Sequence, residues 1–219
     1  MKKTFVFIFA FALLSGLFSI QVGAQNEAFD PEAKLILDKV SKKFKSMKSF
    51  KADFTLKMEN KDTKINETQK GKLFVKGDKY KIETTDLDRY SDGSSIWTFL
   101  KSDKEVQITT ADPESGEISP AQLLNIKPKD FKYILRSPAN SDGLAEVDIT
   151  PLNTNAPFFK TRLTINTKTN MVTKAIVFER NGSRYTYTLQ NAQTDQVLED
   201  KFFTFDKSKH TGIEIVDLR

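Results

Sequence analysis

The stretch "GKLFVKGDKYKIE", residues 71–83, decides how the rest of the chain is read. Gly77-Asp78 stands between two alternating runs, and a Gly-first pair suits the primed two-residue turns whose twist matches paired strands. Such a turn sets Lys76 opposite Lys79, Val75 opposite Tyr80, Phe74 opposite Lys81 and Leu73 opposite Ile82. Side chains alternate between the faces of a strand. Leu73, Val75, Tyr80 and Ile82 therefore share one face, and Lys72, Lys76, Lys79, Lys81 and Glu83 the other. The hairpin belongs to a sheet with one apolar face. That face is filled either by the protein's own core or by a guest.

Upstream, "DPEAKLILDKVSKKFKSMKS" predicts an amphipathic helix of about 18 residues, with Asp30 as N-cap, Pro31 at the first helical position and Glu32 in the first turn. Ala33, Leu37, Val40, Phe44 and Met47 recur at steps of three and four, leaving the lysines opposite. The period then drops to two. In "SFKADFTLKME", Phe50, Ala52, Phe54, Leu56 and Met58 alternate with polar residues, as in a half-exposed strand. The polar "NKDTKINETQ" either extends this strand and the next or loops between them.

Downstream, "SDGS" and "KSDK" supply turns between short strands. The middle segment changes character. Ser119 with Pro120 predicts a brief helix carrying Leu123 and Leu124, and Pro128 another carrying Phe131, Ile134 and Leu135. Strands resume in "AEVDITPL", "FKTRLTIN", "MVTKAIVFER", "SRYTYTLQN" and "KFFTF", with "GIEIVDL" as a last candidate. In "ERNGSRYTYTL", Asn-Gly predicts a type I′ turn setting Glu179 opposite Arg184 and Phe178 opposite Tyr185. The fold class expected is α+β, mainly antiparallel, with about ten or eleven strands.

Residues 1–24 read as an export signal: basic "MKK", the apolar "TFVFIFAFALLSGLFSI", then "VGA" with cleavage expected after Ala24. Residues 25–219 then form one domain. Phe5, Phe7, Phe9, Phe11 and Phe18 belong to the signal and not to the core. The 219 residues contain no cysteine, so no lipid-anchoring Cys follows the cleavage site, where Gln25 stands, and a soluble exported protein is expected. The 34 basic and 29 acidic residues are interleaved, which argues against a nucleic-acid partner.

Catalytic inventories fail. There is no Cys nucleophile, GxSxG, HExxH, P-loop or GxGxxG, and the lone His210 reads as an exposed loop residue. Asp86, Asp88, Asp92 and Asp103 stand in turn-like contexts, where Asp serves local hydrogen bonding. No catalytic residue, metal or cofactor is expected. Trp97, the only tryptophan, is either a core aromatic or part of a cavity wall.

Taken in order, "FKADFTL", "GKLFVKGDKYKIE", "YSDGSSIWTF", "SPAQLL", "VDITP", "FERNGSRYTYTL" and "FFTFDKSKHTGIEIVD" resemble the LolA family of periplasmic outer-membrane lipoprotein carriers. The resemblance implies an incomplete, strongly curved antiparallel β-barrel with helices over its mouth. It implies a monomeric carrier that takes acylated lipoproteins from an ATP-driven (ABC) inner-membrane transporter and shields their acyl chains. Release follows at an outer-membrane acceptor or the outer membrane itself, and the carrier hydrolyses nothing. On this reading Phe54, Leu56, Leu73, Val75, Tyr80, Ile82 and Trp97 line the cavity and Leu123 and Leu124 sit in the lid. Family members carry Lys-Arg-Pro at the end of the second strand, the Arg holding the lid; here Lys76 is followed by Gly77-Asp78. Lys76 is left as the lid contact, without guanidinium's planar fork, so lid closure is expected to rest on apolar packing. Other occupations of the same fold are a general binder of lipids or a sensor of envelope stress. A purely structural exported β domain would instead fill its sheet interior.

Overall fold

The computed structural model describes residues 29–112 and 120–219. The expected signal segment, its cleavage site and the Ser119 cap lie outside them. Among the described residues twelve strands form a single sheet. The first six are β1 (Phe50–Asn60), β2 (Ile65–Lys76), β3 (Lys79–Thr84), β4 (Leu87–Ser91), β5 (Ser95–Leu100) and β6 (Glu105–Thr110). The others are β7 (Phe131–Ser137), β8 (Leu144–Pro151), β9 (Phe158–Asn166), β10 (Met171–Glu179), β11 (Arg184–Thr194) and β12 (Glu214–Asp217). The spatial order is β12-β6-β5-β4-β3-β2-β1-β11-β10-β9-β8-β7. Only the β12–β6 pairing is parallel. β7 and β12 are the two ends of the order, so the barrel is incomplete.

The 71–83 hairpin has the register its sequence predicts. Lys76 pairs with Lys79, Val75 with Tyr80 and Leu73 with Ile82, and Gly77 takes the positive φ (59°) of a Gly-first primed turn. "NKDTKINETQ" extends both strands, leaving residues 61–64 to turn. Gly71 has a specific task there. A Cβ at this position would strike the Glu83 carbonyl and come within 2.7 Å of the Phe54 ring, so glycine lets that ring lie flat across the strand.

The second hairpin departs from expectation by one residue. Phe178 pairs with Arg184 and Val177 with Tyr185, while Glu179 N–H donates to Ser183 O at 2.9 Å. The loop is thus three residues, Arg180-Asn181-Gly182, with only Gly182 at positive φ (83°), the alternative to a type I′ turn. Asn60 fixes it, its Nδ2 donating to Asn181 O at 3.2 Å and Ser183 Oγ at 2.9 Å. A one-residue slip moves a strand's side chains to the opposite face. Tyr185, Tyr187 and Leu189 consequently join the apolar face.

Three further expectations are corrected. After a 3-10 turn at Pro128–Asp130, residues 131–137 form β7 and not a helix, because Tyr133 and Leu135 alternate onto the core beside β8. "KFFTF" forms a 3-10 turn at Asp200–Phe203 and not a strand. It crosses the face of β2 and β3, whose backbone edges are already paired on both sides. Asp88, expected in a turn, lies in β4 and pairs with Lys101 at 2.8 Å, whereas Asp92 does cap its turn, accepting from Ser94 and Ser95 N–H at 2.8 Å.

The helix α1 (Pro31–Ser46) carries the predicted stripe, with Ala33, Leu37, Val40 and Phe44 buried. Asp30 Oδ1 accepts from Glu32 and Ala33 N–H at 2.8 and 3.1 Å, and its Oδ2 accepts from Leu135 N–H at 3.2 Å. The cap therefore also ties α1 to β7. Led by the Ala33 N–H, these donors hold the Asp30 carboxyl below its ordinary pKa against the opposing effect of desolvation.

Candidate functional site

One cross-strand row reads Leu135, Val147, Leu163, Ala175, Tyr187, Leu56, from β7 through β8, β9, β10 and β11 to β1. Another continues from Ala52 through Leu73 and Ile82 to Arg89, Thr98 and Gln107. These rows share the concave face. Arg89 lies four strands from Tyr187, about 19 Å in a flat sheet. Its charge is the smallest of the influences on the Tyr187 hydroxyl and opposes the rise that burial causes.

Of the residues expected to line a cavity, Phe54, Leu73, Val75 and Tyr80 are buried in one cluster with Leu37, Val40 and Phe44 of α1. Leu123 and Leu124 join it from the short helix α2 (Pro120–Leu124), which packs against β2, β3, β10 and α1. Between α1, Phe50, Leu124 and Met171 a gap of about 10 Å³ remains, the space of a single water. In this state the protein fills this part of its own face. Leu56 and Ile82 differ: they are half-buried at the margin of the cluster, together with Tyr187 and Leu189. This margin is where the apolar floor runs out from under its helical cover. Burial pushes the Tyr187 hydroxyl up to about 12, with Tyr185 and Glu179 adding to the effect.

Trp97 is placed elsewhere. Tyr90 pairs with Lys81 and Trp97, and Lys81 with Phe74, so all four share the convex face. Tyr80 and Ile82 continue instead to Ser91 and Arg89. Trp97 thus cannot line the same wall as Ile82. The alternation of "SSIWTFL" allowed either parity, and only the register across β3, β4 and β5 decides it.

The convex face has its own cover, the C-terminal segment 198–210. Phe202 meets Phe74 edge-on at 5.0 Å, and Phe205 meets Tyr90 at 5.8 Å and Phe99 at 5.5 Å. Lys81 lies between the Tyr90 and Phe202 rings at 4.9 and 4.5 Å, its charge paired with Glu83 at 2.7 Å. Burial first, then Asp88 and Glu83, push the Tyr90 hydroxyl up to about 12. Lys76 serves this cover and not the helical one. Its Nζ donates to Leu198 O at 2.7 Å and to Asp200 Oδ1 at 2.9 Å, and Lys79 takes the other Asp200 oxygen at 2.8 Å. His210 is likewise no free loop residue: its ring stacks on Phe205 at 4.9 Å and lies 4.7 Å from Phe99. Among the described residues its ring partners are aromatic, and no carboxylate is hydrogen-bonded to it.

Among the described residues no group of three His, Cys, Asp or Glu side chains is placed to hold a metal ion, and no helix is long and apolar enough to cross a membrane. What the arrangement offers is an apolar concavity, a helical cover and one cation at its margin. Arg89, Tyr187 and Leu189 were missed by sequence reasoning. The alternation "RYTYTLQ" carried the signal for the last two, but the one-residue slip hid which face they take.

The family model described as "Outer membrane lipoprotein carrier protein LolA" matches residues 45–206. No curated protein is significantly similar to the chain in sequence. Among solved structures, an uncharacterized conserved protein from Thermus thermophilus superposes with a TM-score of 0.56 at 10% identity, covering 85% of this chain and 99% of that one. A LolA superfamily protein from Nitrosomonas europaea gives 0.47 at 14% identity, covering 79% and 97%. The Mycobacterium tuberculosis lipoprotein LppX gives 0.48 at 12%, covering 78% and 98%.

Proposed function

The chain belongs to the LolA family of outer membrane lipoprotein carrier proteins, and from that premise we propose that its concave face shelters the acyl chains of lipoproteins in transit. The observation that carries this reading is the way the face is closed. Its cover includes a short helix whose buried Leu123 and Leu124, with the adjacent Ile126, rest on the floor of the sheet. Among the described residues, a side-chain hydrogen bond from α1 to this segment, Ser41 Oγ donating to Asn125 Oδ1, is long at 3.3 Å. A cover held by apolar contact is displaced by an apolar guest at little net cost, since each buried surface replaces another.

Each acyl CH₂ removed from water is worth about 0.8 kcal/mol, so lipidated proteins do not cross an aqueous compartment unshielded. The guest enters at the half-buried margin of Leu56, Ile82, Tyr187 and Leu189 and lifts Leu123 and Leu124. Phe54, Leu73, Val75 and Tyr80 are then the deeper wall. The protein works as an exported, periplasmic, non-enzymatic monomer, loaded by an ATP-driven inner-membrane transporter and unloaded at the outer membrane or an acceptor there.

Titration with one peptide in acylated and unacylated forms tests this. Saturable binding of the acylated form alone is expected. A well-folded protein that binds neither overturns the carrier in favour of a structural domain.

A further inference from the structure

Arg89 is out of keeping with its surroundings. Register places it on the concave face, directly across from Ile82 on one side and Thr98 on the other. Its charge weakly lowers the pKa of the Tyr187 hydroxyl. It is half-buried, and its recorded hydrogen bond is a long one, Nε donating to Thr98 Oγ1 at 3.3 Å. A guanidinium carries five N–H donors and a permanent charge. Arg162 and Arg219 satisfy theirs with Asp148 and Asp217 at 2.7 and 2.6 Å. No carboxylate among the described residues pairs with Arg89.

Two acids of the same face are engaged elsewhere. Glu105 accepts from Gln107 Nε2 at 2.8 Å, and Glu179, whose charge also reaches Tyr187, accepts from Asn181 Nδ2 at 2.9 Å. Beside Ile82, a half-buried cation with donors to spare is hydrated wherever water reaches it. A guest that displaces this water must return its hydrogen bonds or lose affinity. An anion returns them best, because charge-assisted bonds to guanidinium are short, strong and often bidentate. Tyr187 adds a neutral donor, its hydroxyl pushed by burial still further above neutrality.

We propose that Arg89 anchors the head group of an anionic lipid, taking its carboxylate or phosphate while the hydrocarbon lies along Leu56, Ile82, Tyr187 and Leu189. This rests on the acyl-binding reading of the concave face and adds a class of guest to it. Arg89 discriminates between guests of equal hydrocarbon content, which the apolar floor alone cannot do.

The test uses a fluorescent polyene fatty acid and its methyl ester at pH 8, with wild type, Arg89→Met and Arg89→Lys. Wild type is expected to bind the acid about tenfold or more tightly than the ester. Arg89→Met removes the preference, and Arg89→Lys restores part of it. Displacement of the bound acid by a lysophosphatidic acid, a saturated fatty acid and a neutral monoacylglycerol then separates phosphate from carboxylate. Whichever anion displaces more strongly than the neutral lipid names the head group. Equal binding of acid and ester by wild type, or a preference that survives in Arg89→Met, overturns the anchor and leaves lipid binding standing. A folded protein that binds neither probe overturns the acyl-binding reading, and the anchor with it.

Discussion

The two faces of β2 and β3 are covered in opposite ways. On the concave side Leu73, Val75, Tyr80 and Ile82 meet helices, through Leu123 and Leu124 of α2 and the apolar stripe of α1. On the convex side Phe74 and Lys81 meet the aromatic segment 198–210, fastened by Lys76 and Lys79 on Asp200. The first cover meets the sheet through apolar side chains; the second adds directional polar bonds to its rings. Hydrophobic contact is non-directional and exchanges readily with another apolar surface. Hydrogen bonds and ring geometry do not exchange in that way. The contrast points to a convex cover that stays and a concave cover that yields.

The largest effect is expected at the convex cover. Phe203, fully buried in it, should cost about 3–5 kcal/mol when replaced by alanine, read from denaturant unfolding, and acyl affinity per folded molecule should not change. Leu124→Ala sharpens the comparison from the other side. By loosening α2 it should tighten acyl binding several-fold, because more molecules occupy the open, binding-competent state. Lys76→Ala should leave that affinity as it is. A loss of binding with Lys76→Ala and none with Leu124→Ala would reverse the assignment of the two covers.

Smaller effects follow. Asp30→Ala removes the α1 cap and should cost about 1 kcal/mol in unfolding free energy. The carboxyl's folded pKa is lowered, so its contribution is full above the unfolded value and fades as pH falls through the folded one. The smallest effect concerns Asp200. Hydrogen bonds from Lys79 and Lys76 depress its pKa from 3.8 to about 2, so the latch holds above pH 4 and is lost on acidification toward pH 2. Trp97 shares that convex face and is a natural reporter of the release. Its emission should respond to acid in wild type and less in Asp200→Asn, and should stay nearly constant when lipid fills the concave side.

Much of this was legible in the sequence because local chemistry and tertiary packing agree. Gly77-Asp78 fixed its hairpin, Asp30 and Pro31 fixed the start of α1, and the stripe from Ala33 to Phe44 is the buried one. What stayed hidden depends on parity across several strands. Trp97 takes the face opposite to the expected one, because alternation within one strand does not say which face is which. Asn181-Gly182 misled because its dipeptide favours a two-residue turn, while Asn60, distant in sequence, holds a three-residue loop. Lys76 keeps a latch, but one that fastens the C-terminal segment, which no local pattern announces. Arg89 could not be singled out without the register that sets it across from Ile82 on the concave face.

The most direct test of the concave face as the acyl-binding site is photocrosslinking with a lipopeptide that carries a diazirine in its acyl chain, followed by mass-spectrometric mapping of the adducts. Labels on Leu56, Ile82, Tyr187, Leu189 or Leu124 are expected. Labels confined to Trp97, Phe202 and Phe205, or a saturable complex with no concave label, would contradict it.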